Sequence, residues 1–228
     1  MTLEVFTELE QGTTAWLEAR RGVLTASVIG KVITPKTIKV ASNDTSRDLM
    51  TSLVAERITG RIEPVHVTRE MERGTFEEPI ARGYYEEATG FTVDQIGFMR
   101  LDEDSFTLGY SPDGLVGLDG LIEIKSRGQK KHLKTILEDA VPLENMAQIQ
   151  CGLFVSGRDW CDYVSFCGGM PLLIKRVWID ERWVDAIQQA ARSYAKFTAQ
   201  TEAVFHSVTQ ASLPTEPSHF DDLEEIAW

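Results

Sequence analysis

The chain reads as a single layered domain of the α/β or α+β class, and three observations predict it. Strand-like runs cluster in mid-chain between helical ends, the pattern of a sheet covered by helices. A length of 228 residues with 43% hydrophobic content suffices for one sizeable core. No internal repeat divides the chain. In order, Thr13 to Arg21 and Ala26 to Ile33 predict two short helices. Pro35 to Ser46, polar with scattered lysines, predicts a loop. Ser46 to Ile58 predicts a helix with Leu49, Leu53, Val54 and Ile58 on one side and Gly60 as its stop signal. A longer helix is expected from Glu70 to Ala88, closed by Gly90. Strands are expected at Phe91 to Arg100, Phe106 to Tyr110, around Val116, and at Leu121 to Ser126. Leu143 to Val155 predicts a helix, Trp160 to Cys167 and Leu172 to Ile179 two strands, and Glu181 to Phe205 a long helix. The domain is expected to occupy 1–210, and 211–228, with Pro214 and Pro217, to form an acidic, loosely attached tail.

Composition narrows the function classes. No apolar run is long enough to cross a bilayer, and Met1-Thr2-Leu3-Glu4 lacks a signal peptide's basic start, so the cytoplasm is the expected compartment. Cys151, Cys161 and Cys167 are odd in number and read as structural reduced thiols rather than a disulfide framework or a four-cysteine cluster. With 23 basic and 35 acidic residues the net charge is −12, which taken alone disfavours DNA. Distribution matters more than the sum. Lys125 to Lys134 is strongly basic, Arg20, Arg21, Lys31, Lys36 and Lys39 form a second basic region, and acid gathers in Phe220 to Glu225.

The most informative stretch is Ser111-Pro112-Asp113-Gly114 followed by Glu123-Ile124-Lys125. Alternation along a strand puts Glu123 and Lys125 on one face and turns Ile124 toward the core. The intervening Asp119-Gly120 suits a tight hairpin, which brings Asp113 back beside Glu123. Two carboxylates and an ammonium then converge, the equipment for holding Mg²⁺ and activating water against a phosphodiester. Each half also has a bland explanation: Asp and Gly favour turns, and Glu-x-Lys often marks a solvated strand face. Together they place two charges inside an aliphatic run, where unpaired charge is costly and a divalent cation compensates it.

At these residues the chain resembles the PD-(D/E)xK nuclease superfamily, and more narrowly the phage lambda exonuclease and YqaJ-like viral recombinase family. Ala15-Trp16-Leu17-Glu18-Ala19-Arg20 with Gly22-Val23-Leu24-Thr25-Ala26-Ser27 resembles the family's W-x-x-x-R…G-x-[IL]-T-A-S signature. Arg73 to Glu78 resembles its G-x-x-x-E helix, and Met146 to Gln150 its Q-x-Q helix. The resemblance implies a restriction-endonuclease-like fold, a central mixed sheet flanked by helices. It implies a Mg²⁺-dependent, processive 5′→3′ exonuclease on duplex DNA ends, releasing 5′-mononucleotides and leaving a 3′ overhang for recombination; Mn²⁺ is expected to substitute. It further implies a homotrimeric ring and a single-strand annealing protein as partner, in a phage or prophage of a bacterial host. The acidic Phe220 to Trp228 is a candidate docking segment for that partner, or a solvated tail.

Roles follow residue by residue. Asp113 and Glu123, with the Ile124 carbonyl, are the expected metal ligands, and Glu78 is the family's fourth acid, a candidate ligand for a second metal or its water. Lys125 is expected to orient the water, to accept its proton if its pKa is depressed, or to neutralise developing charge. Gln148 matches the family's active-site glutamine; Asn145 departs from the family, which often has an aromatic residue there. Arg20 and Ser27 match positions that bind a terminal 5′-phosphate, and Ser111 offers a further hydroxyl. Met71 matches an apolar wedge at the duplex end, and Arg73 offers stacking or a phosphate contact. Trp16 is expected to be a core anchor for its helix. Two other classes remain open: a structure-specific or restriction-type endonuclease, and a catalytically silent DNA-end-binding protein.

Overall fold

The computed structural model describes residues 1–63, 67–209 and 214–216. The chain opens with a strand that the sequence did not predict, β1 (Thr2–Phe6), whose mostly exposed residues lie at a sheet edge. Helix α1 (Thr14–Arg20), capped by the Thr13 hydroxyl, buries no residue fully. The expected second helix is short. Leu24–Thr25 form strand β2, helix α2 covers Ala26–Ile29, and Ile33–Thr34 begin a small hairpin, β3, with β4 (Lys39–Val40) inside the expected loop.

Helix α3 (Asp44–Thr59) starts at a reciprocal capping box between Asn43 and Ser46 and stops at Gly60 in the left-handed conformation. Helix α4 (Arg69–Thr89) ends in the same way at Gly90 and carries Pro79 in its interior. The expected strand from Phe91 is interrupted: β5 (Val93–Asp94) and β6 (Phe98–Glu103) belong to different sheets. Strands β7 (Phe106–Tyr110), β8 (Gly114–Val116) and β9 (Gly120–Ser126) follow. The basic run after β9 is a helix, α5 (Gln129–Glu138). Helix α6 (Leu143–Ser156), strands β10 (Trp160–Phe166) and β11 (Leu173–Trp178), and helix α7 (Glu181–Val208) complete the order close to expectation. Most of the tail from Ala211 lies outside the described residues.

The strands form two mixed sheets beside the hairpin. One runs β1-β6-β7-β2, with β2 parallel to β7; the other runs β11-β10-β9-β8-β5, with β10 parallel to β9. Helix α6 packs against β6 and β7 of the first sheet and β10 of the second, so it is apolar around most of its circumference. Its contact with β7 is close: a Cβ at Gly152 would stand 2.6 Å from the Tyr110 ring. On the other face of the second sheet, Ala81 and Tyr85 of α4 pack against Val116, Ile122, Ile124, Val164 and Phe166. The register is thus fixed by opposite burial of alternate residues. Ile122 and Ile124 face α4, while Leu121 joins the main core with Tyr163 and Cys161. All three cysteines are buried and free, and burial pushes the Cys151 thiol up to about 12.

Candidate active site

Strand β8 pairs with β9 from Val116↔Gly120 as far as Gly114↔Ile122, and β9 runs on past the end of its neighbour. The side chain of Asp113 fills that gap. Its Oδ2 accepts the Ile124 N–H at 2.6 Å, standing in for the missing strand. In an antiparallel strand a residue's N–H and C=O point the same way, so the Ile124 carbonyl also faces the Asp113 side. One residue back, Glu123 has no exposed surface, and its Oε1 lies 2.6 Å from Lys125 Nζ. The hairpin therefore brings Asp113, Glu123 and Lys125 together as the spacing requires.

The electrostatics are strained. Burial raises the carboxyl pKa of Glu123 to about 7, with Lys125 opposing the rise and Asp113 adding to it. Burial likewise raises Asp113, offset by Lys125, the Ile124 N–H and Arg82. Burial also acts against the Lys125 ammonium, but Glu123 and Asp113 outweigh it and hold its pKa above the ordinary lysine value. A depressed pKa at Lys125, one of the expectations from sequence, is not found. Neither Glu123 oxygen has a hydrogen-bond partner, and the Lys125 contact has the distance but not the directionality of one. Buried acceptors left in that condition fit a hard divalent cation, which takes carboxylate, carbonyl and water oxygens. Among the described residues no three His, Cys, Asp or Glu side chains lie close enough together to hold a metal. A cation here would take the two carboxylates, the Ile124 carbonyl and water.

Glu78 stands beside this pair rather than within it. Its carboxylate is bonded to Arg82 one turn along α4, and Arg82 Nη2 also donates to the Asp113 carbonyl at 3.1 Å. Burial, and then Asp113, raise the Glu78 pKa, which marks how close the two acids are. Arg82 had no role in the sequence reading, although its spacing of four from Glu78 is a helical ion-pair signal. Arg73 Nε donates to Ser126 Oγ at 3.2 Å and lies 3.9 Å from Glu77 Oε2. Ser126 in turn bonds Glu77. Met71, in the first turn of α4, is 47% exposed.

Arg20, Ser27 and Ser111 form one cluster. Arg20 Nη1 donates to Ser111 Oγ at 2.8 Å and Nη2 to Ser27 Oγ at 3.2 Å, while Ser27 Oγ lies 3.1 Å from Thr25 Oγ1. Burial lowers the Arg20 pKa to about 10, with Glu56 opposing at a distance, and no carboxylate pairs with the guanidinium among the described residues. Trp16 is not a core anchor. It is half-buried, donates through Nε1 to Ser111 Oγ at 3.0 Å and to the Gly97 carbonyl at 3.2 Å, and carries the Arg20 guanidinium 4.1 Å above its ring. Gln11 Nε2 fixes the adjoining turn by donating to the Pro112 carbonyl at 3.0 Å.

The two glutamines of α6 separate in role. Gln150 is fully buried; it donates to the Trp178 carbonyl at 2.8 Å and accepts the Asp180 N–H at 2.9 Å. Gln148 is half-buried and lies on the same helix face as Glu144 and Asn145. Those two residues accept from the buried Arg127, at 3.2 Å and 2.6 Å, and Arg127 Nε donates to Tyr163 Oη at 2.9 Å. The basic run therefore divides: Lys125 enters the site, Arg127 joins β9 to α6, and Lys130, Lys131 and Lys134 are exposed.

Residues 15–159 match the family model of the YqaJ-like viral recombinase domain. The crystal structure of LHK-Exo in complex with dAMP matches with a TM-score of 0.75 at 31% identity, covering 86% of this chain and 97% of that one. A crystal structure of this alkaline exonuclease, LHK-Exo from Laribacter hongkongensis, gives 0.74 at 30% identity over 86% and 97%. A phage-related exonuclease from Haemophilus somnus 129PT shares the fold at a TM-score of 0.63 and 14% identity, over 80% of this chain and 96% of that one. No curated protein matches the sequence. The family match over most of the chain, with the two LHK-Exo structures, places the protein in the YqaJ-like, lambda-exonuclease-like viral recombinase family.

Proposed function

We propose that this chain is a recombination exonuclease that degrades one strand of duplex DNA from its 5′ end and releases 5′-mononucleotides. The observation that carries the reading is the adjacency of two clusters on one turn. Ser111 belongs to the Arg20 cluster, and Asp113, two residues on, belongs to the acid pair. A terminal phosphate held by Arg20, Ser27 and Ser111 would leave the next phosphodiester facing Asp113, Glu123 and Lys125. Arg20 suits an anion because it is pre-oriented by two hydroxyls and an indole and pairs with no carboxylate among the described residues. The dAMP in the LHK-Exo crystal structure is a nucleoside monophosphate, the product class expected here.

Mg²⁺, with Mn²⁺ as its substitute, would be held by Asp113, Glu123 and the Ile124 carbonyl, and supplies charge neutralisation and an acidified water. Lys125, kept protonated by its acid neighbours, would neutralise charge on the phosphoryl oxygens as the bond to the leaving oxygen breaks. Gln148 would orient a phosphate oxygen or the attacking water, Glu78 would lend a third carboxylate, to a second metal or to metal-bound water, and Met71 would help to part the strands. A ring of three copies enclosing the DNA, with a single-strand annealing protein using the 3′ overhang, completes the reading for a phage-type system working in the bacterial cytoplasm.

The test is digestion of 3′-labelled linear duplex and covalently closed circular duplex with Mg²⁺. The expected result is mononucleotide release from the linear DNA, retention of the 3′ label on a long strand, and an untouched circle. Cut circles would move the chain to the endonuclease class; no cleavage of either DNA with Mg²⁺ or Mn²⁺ would leave a DNA-end-binding protein.

A further inference from the structure

The two cations closest to the acid cluster differ in what they hold. Lys125 rises from the same strand as Glu123 and lies 2.6 Å from its Oε1. Arg82 joins three separate elements. From α4 its guanidinium bonds Glu78 Oε1; across to the turn before β8, Nη2 donates to the Asp113 carbonyl at 3.1 Å. With the Gln95 amide oriented to satisfy its neighbours, its oxygen accepts Nη1 at 2.9 Å and Nη2 at 3.0 Å, tying in the segment between β5 and β6. The side chain is 12% exposed, and its Nε is buried with no partner. A guanidinium that leaves one donor unmet while directing both amino groups at a single corner is placed for that corner, since a buried unmet donor is costly.

We propose that Arg82 is a positioning residue that sets where the Glu78 carboxylate stands relative to Asp113 and Glu123; the inference rests on the nuclease reading above. Two physical consequences follow from its placement. Arg82 holds Glu78 Oε1, so the carboxylate's orientation is fixed through the same guanidinium that holds the Asp113 turn. Arg82 also balances charge: among the described residues Lys125 and Arg82 are the cations that lie against Asp113, Glu123 and Glu78. Without it, Glu78 would swing as an exposed helix carboxylate does, and the Asp113 turn would lose its hydrogen bond from α4. Lysine cannot replace the fork, because one ammonium cannot reach the carboxylate, the carbonyl and the amide in a common plane.

The experiment is a double-mutant cycle of Arg82→Gln and Glu78→Gln in the full chain, with Arg82→Lys as the conservative variant and thermal unfolding as a folding control. Two quantities are read: kcat on linear duplex at saturating DNA, and Mn²⁺ half-saturation of the DNA-free protein from the loss of the free-ion EPR signal. Arg82→Gln is expected to lower kcat about 10- to 100-fold with little change in KM when Glu78 is present, and less than about threefold in the Glu78→Gln background. Arg82→Lys is expected to recover less than about a tenth of the lost kcat. Mn²⁺ half-saturation is expected to shift about threefold or more with Glu78 present and less than about twofold without it. Where kcat in Glu78→Gln is too low to measure, the metal cycle decides. Equal effects in both backgrounds, or none, would overturn the positioning role while leaving the nuclease reading intact. A parent protein that cleaves no DNA would remove both.

Discussion

Lys125 Nζ lies 2.6 Å from Glu123 Oε1, yet this contact leaves both carboxylate oxygens of a wholly buried glutamate without a directed hydrogen bond. A strand that existed only to fold would place an aliphatic side chain at position 123, beside Ile122 and Ile124. The acid is kept at a cost to the metal-free protein, and that cost is measurable through pH.

The Glu123 carboxyl titrates near 7 when folded and has an ordinary value of 4.5, so between these values the folded state binds more protons than the unfolded one. Stability then falls as pH rises from about 4.5 to about 7 and is level above it, a contribution on the order of 1–3 kcal/mol. Asp113 and Glu78, also raised, act with the same sign. Urea unfolding of the metal-free protein should show lower stability at pH 8 than at pH 5.5. Glu123→Gln should flatten that slope and raise the melting temperature at pH 8. Added Mg²⁺ should stabilise the parent at pH 8 and leave the variant unmoved. A parent whose stability rises with pH across this window would contradict the assignment.

The two glutamines of α6 predict opposite phenotypes. Gln150→Ala removes the partner of the Trp178 carbonyl and of the Asp180 N–H at a part-buried corner, and should cost about 1–3 kcal/mol in chemical denaturation. Gln148→Ala should leave the melting temperature within about 1 °C and lower kcat about tenfold or more. The reverse pattern would exchange their roles.

Behind the site, Asp162 is buried between Tyr85 Oη at 2.8 Å and a two-pronged Arg176 at 2.8 and 2.7 Å, and Arg176 lies 3.5 Å from the Trp160 ring centroid. Asp162→Ala leaves the Tyr85 hydroxyl unmet and is expected to destabilise the fold by about 3 kcal/mol, with kcat per folded molecule unchanged. Activity lost in proportion beyond the unfolded fraction would place Asp162 in the mechanism.

Trp16 both carries Arg20 and holds Ser111, and conservative substitution separates these contributions. Trp16→Phe keeps an aromatic face but loses the N–H, and should reduce kcat/KM on 5′-phosphorylated ends about three- to tenfold; Trp16→Ala should reduce it further. Equal activity of the parent and Trp16→Ala on these ends would return the indole to a packing role.

Much of this site was legible because its chemistry is local in sequence. Alternation alone set Glu123 and Lys125 on one face, and the hairpin brought Asp113 to the vacant edge beyond Ile122. Helix stops at Gly60 and Gly90 were readable for the same reason, since a left-handed residue marks the end of the helix. What was missed depends on distant partners. Strand β1 is exposed and exists through its pairing with β6; Arg127 reads as one more cation in a basic run until Tyr163, Glu144 and Asn145 surround it. Trp16 looked like core because indoles usually are, and its half-buried place over Ser111 is set by a loop far along the chain. Arg82 had a signal in its spacing from Glu78, but its contact with the Asp113 carbonyl had none.

The most direct test of the account compares the parent and Arg20→Ala on linear duplexes that differ only in a 5′-phosphate or a 5′-hydroxyl, reading kcat/KM for each. The parent is expected to favour the phosphorylated end. Arg20→Ala should lose about 10- to 100-fold on that end and less than about threefold on the hydroxyl end, abolishing the preference. Equal losses on both ends would make Arg20 a structural residue and contradict the 5′-phosphate anchor on which the account depends.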